Sequence, residues 1–231
     1  SSLLDWLPLT AILVAFVVTH LVPALPAVRG RLIGLFGRRT YFIVYGTVSL
    51  LLLLGLIVAA STAPYVEVWP VSDLLLAIPR LVMPVAIVLA VAGLLAPNPL
   101  SMSLNRRPFD PERPGVVAIV RHPVLWALLI WSLAHMAANG DIAHLILFGT
   151  FAVMSVASMT STDRRKQARL GRDEWERLTV RAPQLPLARS LHNGWRPRFS
   201  ATVMMHCVLG LAVYVVLALT HVWFAGVPAY P

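Results

Sequence analysis

Charge is scarce in this chain. Only 13% of its 231 residues are Asp, Glu, Lys or Arg, whereas a soluble globular domain carries roughly 25%. That deficit excludes an ordinary water-facing surface. Cysteine is scarcer still. Cys207 stands alone inside an apolar run, which excludes a disulfide framework and any Cys-based metal motif. There is no HExxH, no His–carboxylate cluster with zinc spacing, no internal repeat and no low-complexity tract. The sequence begins Ser-Ser-Leu-Leu-Asp without a basic leader, so the first apolar run is read as a retained helix and not as a cleaved signal.

What is abundant is apolar sequence: 58% of residues, with a mean hydropathy of +0.76. A helix needs about 20 apolar residues to cross the hydrocarbon core. Six runs meet or approach that length, at residues 3–25, 41–60, 74–96, 122–138, 142–159 and 201–222. The expected architecture is all-α: a polytopic transmembrane bundle of about six helices, forming a single domain over residues 1–231. Asn139-Gly140-Asp141 separates the fourth and fifth runs and predicts a tight αα-hairpin turn, with Gly140 supplying a positive φ and Asp141 capping the next helix. Pro79 and Pro84 each remove a backbone hydrogen bond from the third run and predict kinks there.

The net charge of +9 is unevenly placed. Arg29, Arg31, Arg38 and Arg39 lie between runs one and two; Arg106, Arg107, Arg113 and Arg121 lie between three and four; ten more, from Arg164 to Arg198, lie between five and six. The opposite loops carry Glu67, Asp73 and Asp141. The positive-inside rule then places the basic loops in the cytoplasm and both termini outside. This alternation accounts for the excess charge with membrane lipid as the partner and no nucleic acid. Arg80, the one basic residue outside the basic loops, reads as a snorkelling side chain near the outer interface. The 163–198 loop contains a helix-forming segment, "TDRRKQARLGRDEWERL", with Leu170, Trp175 and Leu178 as a sparse apolar stripe. It is expected to be an amphipathic helix on the inner membrane surface, its arginines toward anionic lipid.

Ionisable groups inside spans are costly and mark candidate functional positions. His20, His122 and His206 fall near the basic ends of their runs, and His135 lies deeper along the fourth. Neutral imidazole is the commonest metal ligand and a usual axial ligand of haem iron, and helix bundles build such sites from facing side chains. The alternative is that each imidazole hydrogen-bonds a neighbouring helix and glues the bundle. Arg121-His122-Pro123 has a local reading too, since proline suits the first turn of a helix. An Arg–His pair there also suits an anionic group such as a cofactor carboxylate.

Two stretches, "THLVPALPAVRGRL" at 19–32 and "RHPVLWALLIWSLAHMAANGD" at 121–141, resemble the NnrU family, bacterial membrane proteins named from denitrification gene clusters and related to 15-cis-zeta-carotene isomerase. The resemblance implies a multi-pass protein of the bacterial inner membrane with both termini periplasmic. It implies haem b as cofactor, with His20 and His135 as axial ligands. It also implies a hydrophobic polyene substrate or, through the denitrification link, nitric oxide. Ser132 stands where the isomerase has a cysteine. His20 and His135 differ in depth by on the order of 10 Å along straight helices, while one iron needs its two ring nitrogens about 4 Å apart. His122 and His206, at the depth of His20, are therefore reserve ligands, and Arg121 with His122 is a candidate cofactor-binding pair. Arg121-His122-Pro123, taken with Asp163, Gly171, Glu174 and Trp175, also resembles the isoprenylcysteine and phospholipid methyltransferases. That resemblance implies S-adenosylmethionine as the alternative cofactor; a non-catalytic membrane assembly factor is the third alternative.

Overall fold

The computed structural model describes residues 2–231, and no strand occurs among them. A short 3₁₀ turn leads into α1 (Leu7–Leu21), followed by α2 (Pro26–Phe36), α3 (Arg38–Thr62), α4 (Asp73–Leu95), α5 (Pro123–Ala138), α6 (Ile142–Leu170), α7 (Arg172–Thr179), α8 (Ala188–Asn193) and α9 (Ala201–Ala225). The described residues form two compact units. The first comprises residues up to Pro70 with Gly140–Leu147 and His221–Pro228; the second comprises Val71–Asn139, Phe148–Thr220 and Ala229–Pro231.

Five helical stretches are long and apolar enough to cross a membrane: Leu3–Leu21, Arg38–Thr62, Asp73–Leu95, Ile142–Leu170 and Ala201–Ala225. The expected fourth span is α5, whose 16 residues cover about 24 Å at 1.5 Å per residue, short of a core about 30 Å thick. Leu51, Leu81, Val153 and Leu219 are exposed on the long helices, as suits side chains whose solvent is lipid.

Three boundaries depart from the hydropathy reading, each for a local reason. The first run stops at Leu21 and not at 25: Pro23 has no N–H for the carbonyl of Thr19, and Pro26 holds Leu25 in an extended conformation (φ −69°, ψ 123°) and then opens α2. Helix α2 thus occupies part of what reads as a basic loop, and Gly37 (φ 82°) separates it from α3. The fifth run continues past its apolar segment to Leu170, since Arg, Lys, Gln and Ala are good helix formers, and breaks only at Gly171 (φ 81°). The expected surface helix is thereby divided between the end of α6 and the short α7. Its apolar stripe faces protein: Leu178 is buried with Ala92, Ala96, Leu100, Val116, Val117 and Ala182, and Leu170 and Trp175 pack against that cluster.

Within the first unit, α1 and α2 both pack on α3, with Ile12 against Gly55. Within the second, α4 and α5 form the principal helix pair. A Cβ on Gly210 of α9 would lie 2.7 Å from the Val88 Cα, so only glycine lets α9 approach α4 this closely. The carbonyls at the end of α4 are satisfied by the loop that follows: Leu104 N–H donates to Leu94 O (2.9 Å) and Asn105 Nδ2 to Leu95 O (2.8 Å).

Helix α4 runs unbroken through Pro79 and Pro84. Pro84 has no N–H for the carbonyl of Arg80, and the Tyr230 hydroxyl takes that place, donating to Arg80 O at 3.1 Å. Arg80 itself has a specific partner, its Nε donating to Ala229 O at 3.2 Å. Tyr230→Phe leaves the carbonyl bare and is expected to lower stability by about 1 kcal/mol. A melt of the detergent-purified variant checks this; an unchanged midpoint removes the role.

Candidate functional site: a buried Ser–His–Asp–Arg clamp

The sequence Val120-Arg121-His122-Pro123 turns the chain into α5, with His122 as the residue before the first helical turn (φ −115°, ψ 68°). Proline at the first position forces His122 out of helical geometry, which points its ring away from α5. The ring is wholly buried (0% exposed). A buried imidazole must bond both nitrogens, and here both are used: Nδ1 meets Ser101 Oγ at 2.7 Å, and Nε2 meets Asp163 Oδ1 at 2.7 Å. The carboxylate accepts from Nε2–H, so in the neutral ring the Ser101 hydroxyl donates to Nδ1.

The other oxygen of Asp163 is taken by Arg121, whose Nη1 donates to Oδ2 at 2.7 Å. Arg121 reaches further: its Nε donates to Ala182 O (3.1 Å), its backbone N–H to Pro183 O (2.7 Å), and its guanidinium lies 5.0 Å from the Trp175 ring centre. Asn98 closes the arrangement, donating from Nδ2 to Arg121 O (3.0 Å) and accepting from the Leu100 N–H (3.0 Å). One dipeptide thus ties together the loop after α4, the start of α5, the basic end of α6 and the segment after α7. The order hydroxyl–imidazole–carboxylate is that of an acid–base relay, but the ring is sealed from solvent and the carboxylate is shared with a guanidinium. Its evident work is to fix four segments.

The remaining candidates lie elsewhere. His20 belongs to the first unit. Its Nδ1–H donates to Phe16 O one turn back (2.7 Å), its ring stacks on Phe16 at 4.0 Å between centres, and it lies 5.5 Å from Tyr45. Tyr45, with Tyr41, Thr19, Val22 and Leu32, lines an apolar cleft of about 440 Å³. In the same unit Arg29 and Arg38 each place a guanidinium 5.3 Å from the Phe42 ring centre. His135 belongs to the second unit and has the same local geometry: Nδ1–H donates to Trp131 O (2.8 Å), and the ring packs against Trp131 and Phe148. Ser132 is buried, its hydroxyl donating to Leu128 O at 2.7 Å on its own helix. His206 of α9 has a buried Nδ1 with no hydrogen-bond partner. Among the described residues, no group of three or more His, Cys, Asp or Glu side chains could hold a metal ion by itself.

The sequence reading missed Ser101 and Asn98. The run "PNPLSMSLN" after α4 signals a turn, but nothing in it marks Ser101 as a partner for a histidine 21 residues on. Asp163 was visible as the single acid at its position, without the bond that defines it.

Five helices long and apolar enough to cross a membrane, with no strand among the described residues, define a polytopic helical membrane protein. The chain belongs to the NnrU family: the family described as NnrU protein matches residues 8–229, nearly the whole chain. No curated protein and no solved structure gave a match.

Proposed function

We propose that this NnrU-family membrane protein binds haem b, with His20 of the first unit as the residue that would hold its iron and His135 as the further candidate. The supporting observation is the state of the His20 ring. With Nδ1–H held on Phe16 O, the lone pair resides on Nε2. A backbone carbonyl on the far nitrogen is the usual outer partner of a metal-bound imidazole. The residues nearby suit a porphyrin: the adjoining cleft is apolar, and its 440 Å³ falls within the range of roughly 300–1,000 Å³ typical of cofactor pockets. Arg29 and Arg38, which have no carboxylate partner among the described residues, would be the cations for the propionates. Arg121 and His122 are committed to the internal clamp and would have to break it to serve a cofactor. That weighs equally against adenosylmethionine binding at this pair.

Held by His20, haem would supply an iron able to lend electron density to a polyene double bond or to bind nitric oxide. On this reading the protein is isomerase-like toward a polyene or isoprenoid, with nitrogen-oxide chemistry in denitrification as the variant use of the same iron. The chain's own part is to hold Nε2 of His20 in place and to keep the cleft dry. We place the protein in the bacterial inner membrane with its basic loops cytoplasmic and both termini periplasmic, because 18 of its 19 basic residues alternate in that sense. A periplasm-active reporter fused after Pro231 checks the orientation.

Absorption spectra of the protein purified after expression with ample haem, oxidised and then dithionite-reduced, test the cofactor. A Soret band is expected, and His20→Ala should abolish or shift it. His135→Ala should change it only if that imidazole completes the coordination. A colourless, folded protein defeats the reading.

A further inference from the structure

A second cavity lies in the second unit, and none of its lining residues is a candidate haem ligand. It measures about 480 Å³, and Arg113, Arg196 and Arg198 line it together with Trp195, Phe199 and Ser200. Among the described residues none of these three guanidiniums has an ion-pair partner. The one carboxylate on its wall, Glu112, is taken by Arg181, which also lies 5.4 Å from the Trp195 ring centre. The cavity therefore carries three uncompensated positive charges. Like charges are not gathered around a concavity without cost, and an anionic occupant relieves it.

Its location says which anion. Ser200 accepts from the Val203 N–H (3.3 Å) and begins α9, a helix long and apolar enough to cross a membrane. A span that starts at Ala201 would set this wall at the hydrocarbon boundary, at the level of lipid head groups. Tryptophan and other aromatic rings concentrate at that level, and Trp195 and Phe199 are set among the arginines. Guanidinium is the side chain suited to phosphate, because its fork matches two oxygens at once. Tetrahedral phosphate with an acyl tail fits this combination of cations, aromatic rings and an adjoining span.

We propose that Arg113, Arg196 and Arg198 form a phosphoanion site that holds the head-group phosphate of an anionic lipid against the start of α9. The inference does not depend on haem and stands or falls separately from it.

Calorimetric titration of the full-length protein in a non-ionic detergent tests it, with short-chain phosphatidic acid, short-chain phosphatidylcholine and inorganic phosphate as separate probes. Phosphatidic acid is expected to bind, phosphatidylcholine to bind much more weakly, and Arg196→Gln/Arg198→Gln to weaken phosphatidic acid by about tenfold or more, the loss of a charge-assisted bond or two. Arg164→Gln/Arg165→Gln, which removes equal charge elsewhere, should leave binding unchanged. Inorganic phosphate binding as tightly as the lipid would assign the same site to a free phosphoanion. Failure of both phosphatidic acid and inorganic phosphate to bind overturns the proposal, as does equal weakening by the two double variants. Arg198→Lys keeps the charge and is the fallback if the double variant does not purify. It should still weaken the lipid severalfold, and unchanged affinity there counts against the site.

Discussion

Asp163→Ala is expected to cost about 1–3 kcal/mol, the usual consequence of leaving a buried polar group, here the His122 ring, without its hydrogen-bond partner. The magnitude follows from what is left behind. His122 loses its Nε2 partner in a position with no solvent access, and Arg121 loses the carboxylate that fixes its head. Neither can recover its bonds by turning outward, since Arg121 is also held through Ala182 O and Pro183 O. The four segments that meet at this point then lose their common anchor. Asp163→Asn is the informative companion. It keeps the size and one acceptor oxygen, so it can serve His122 or Arg121 but not both, and should lose roughly half as much. Thermal melts of the purified variants, followed by monodispersity in detergent, give the comparison. A fall of less than a few degrees for Asp163→Ala would show that the clamp contributes little. If Asp163→Asn fell as far as the alanine variant, the charge on the carboxylate, and not its geometry, would be the stabilising element.

The clamp also shows what the amino-acid order can and cannot reveal. Leucine-rich runs are legible because a span is a local property: twenty apolar residues either occur in succession or do not. Five of the helices follow from that alone. Helix ends are less legible, because one residue decides them. Pro26 and Gly171 set boundaries that a hydropathy average smooths away. The stripe Leu170–Trp175–Leu178 announces an apolar face but not its partner. Membrane lipid and the Ala92–Ala96–Val117 cluster are equally apolar, and only the folded chain brings the latter within reach. Arg121-His122 reads in the sequence as a pair suited to an anionic group such as a cofactor carboxylate. Its actual partner, Asp163, is 41 residues from His122, and no spacing rule connects the two. Side chains that bond within one turn, as His20 and His135 do, leave no trace in the sequence beyond their own identity.

Gly140 carries the other large expectation. The sequence suggests a turn residue chosen for positive φ, but Gly140 is not among the glycines with that conformation. The requirement is space. A Cβ there would fall 2.3 Å from Trp69 O and 2.4 Å from Trp69 Cδ1, well inside any tolerable contact. The backbone must come this close because Val68 N–H (2.7 Å) and Trp69 N–H (3.1 Å) both donate to Gly140 O, and Ile142 N–H donates to Val66 O (3.0 Å). Beside them the buried Asp141 accepts from the His144 N–H (3.3 Å) and from His144 Nδ1 (2.8 Å), capping α6 as its position in the turn implies. Gly140→Ala cannot be absorbed by a rotating side chain, since the first atom it meets is a carbonyl oxygen of the strap formed by residues 66–69. Either the strap withdraws and two or three hydrogen bonds are lost at about 1 kcal/mol each, or the turn is strained by an overpacking of roughly 1–3 kcal/mol. A total near 3 kcal/mol is expected, read as a large drop in melting temperature and as new protease sensitivity in the 63–72 segment. Gly149→Ala is the control: it lies within α6 with nothing within 4 Å of its Cβ position, so the same substitution there should be neutral or stabilise by up to about 1 kcal/mol through helix propensity. Similar melts for the two alanine variants would mean that the strap yields freely, and the close approach of Trp69 to the turn would then have no stabilising part in the first unit.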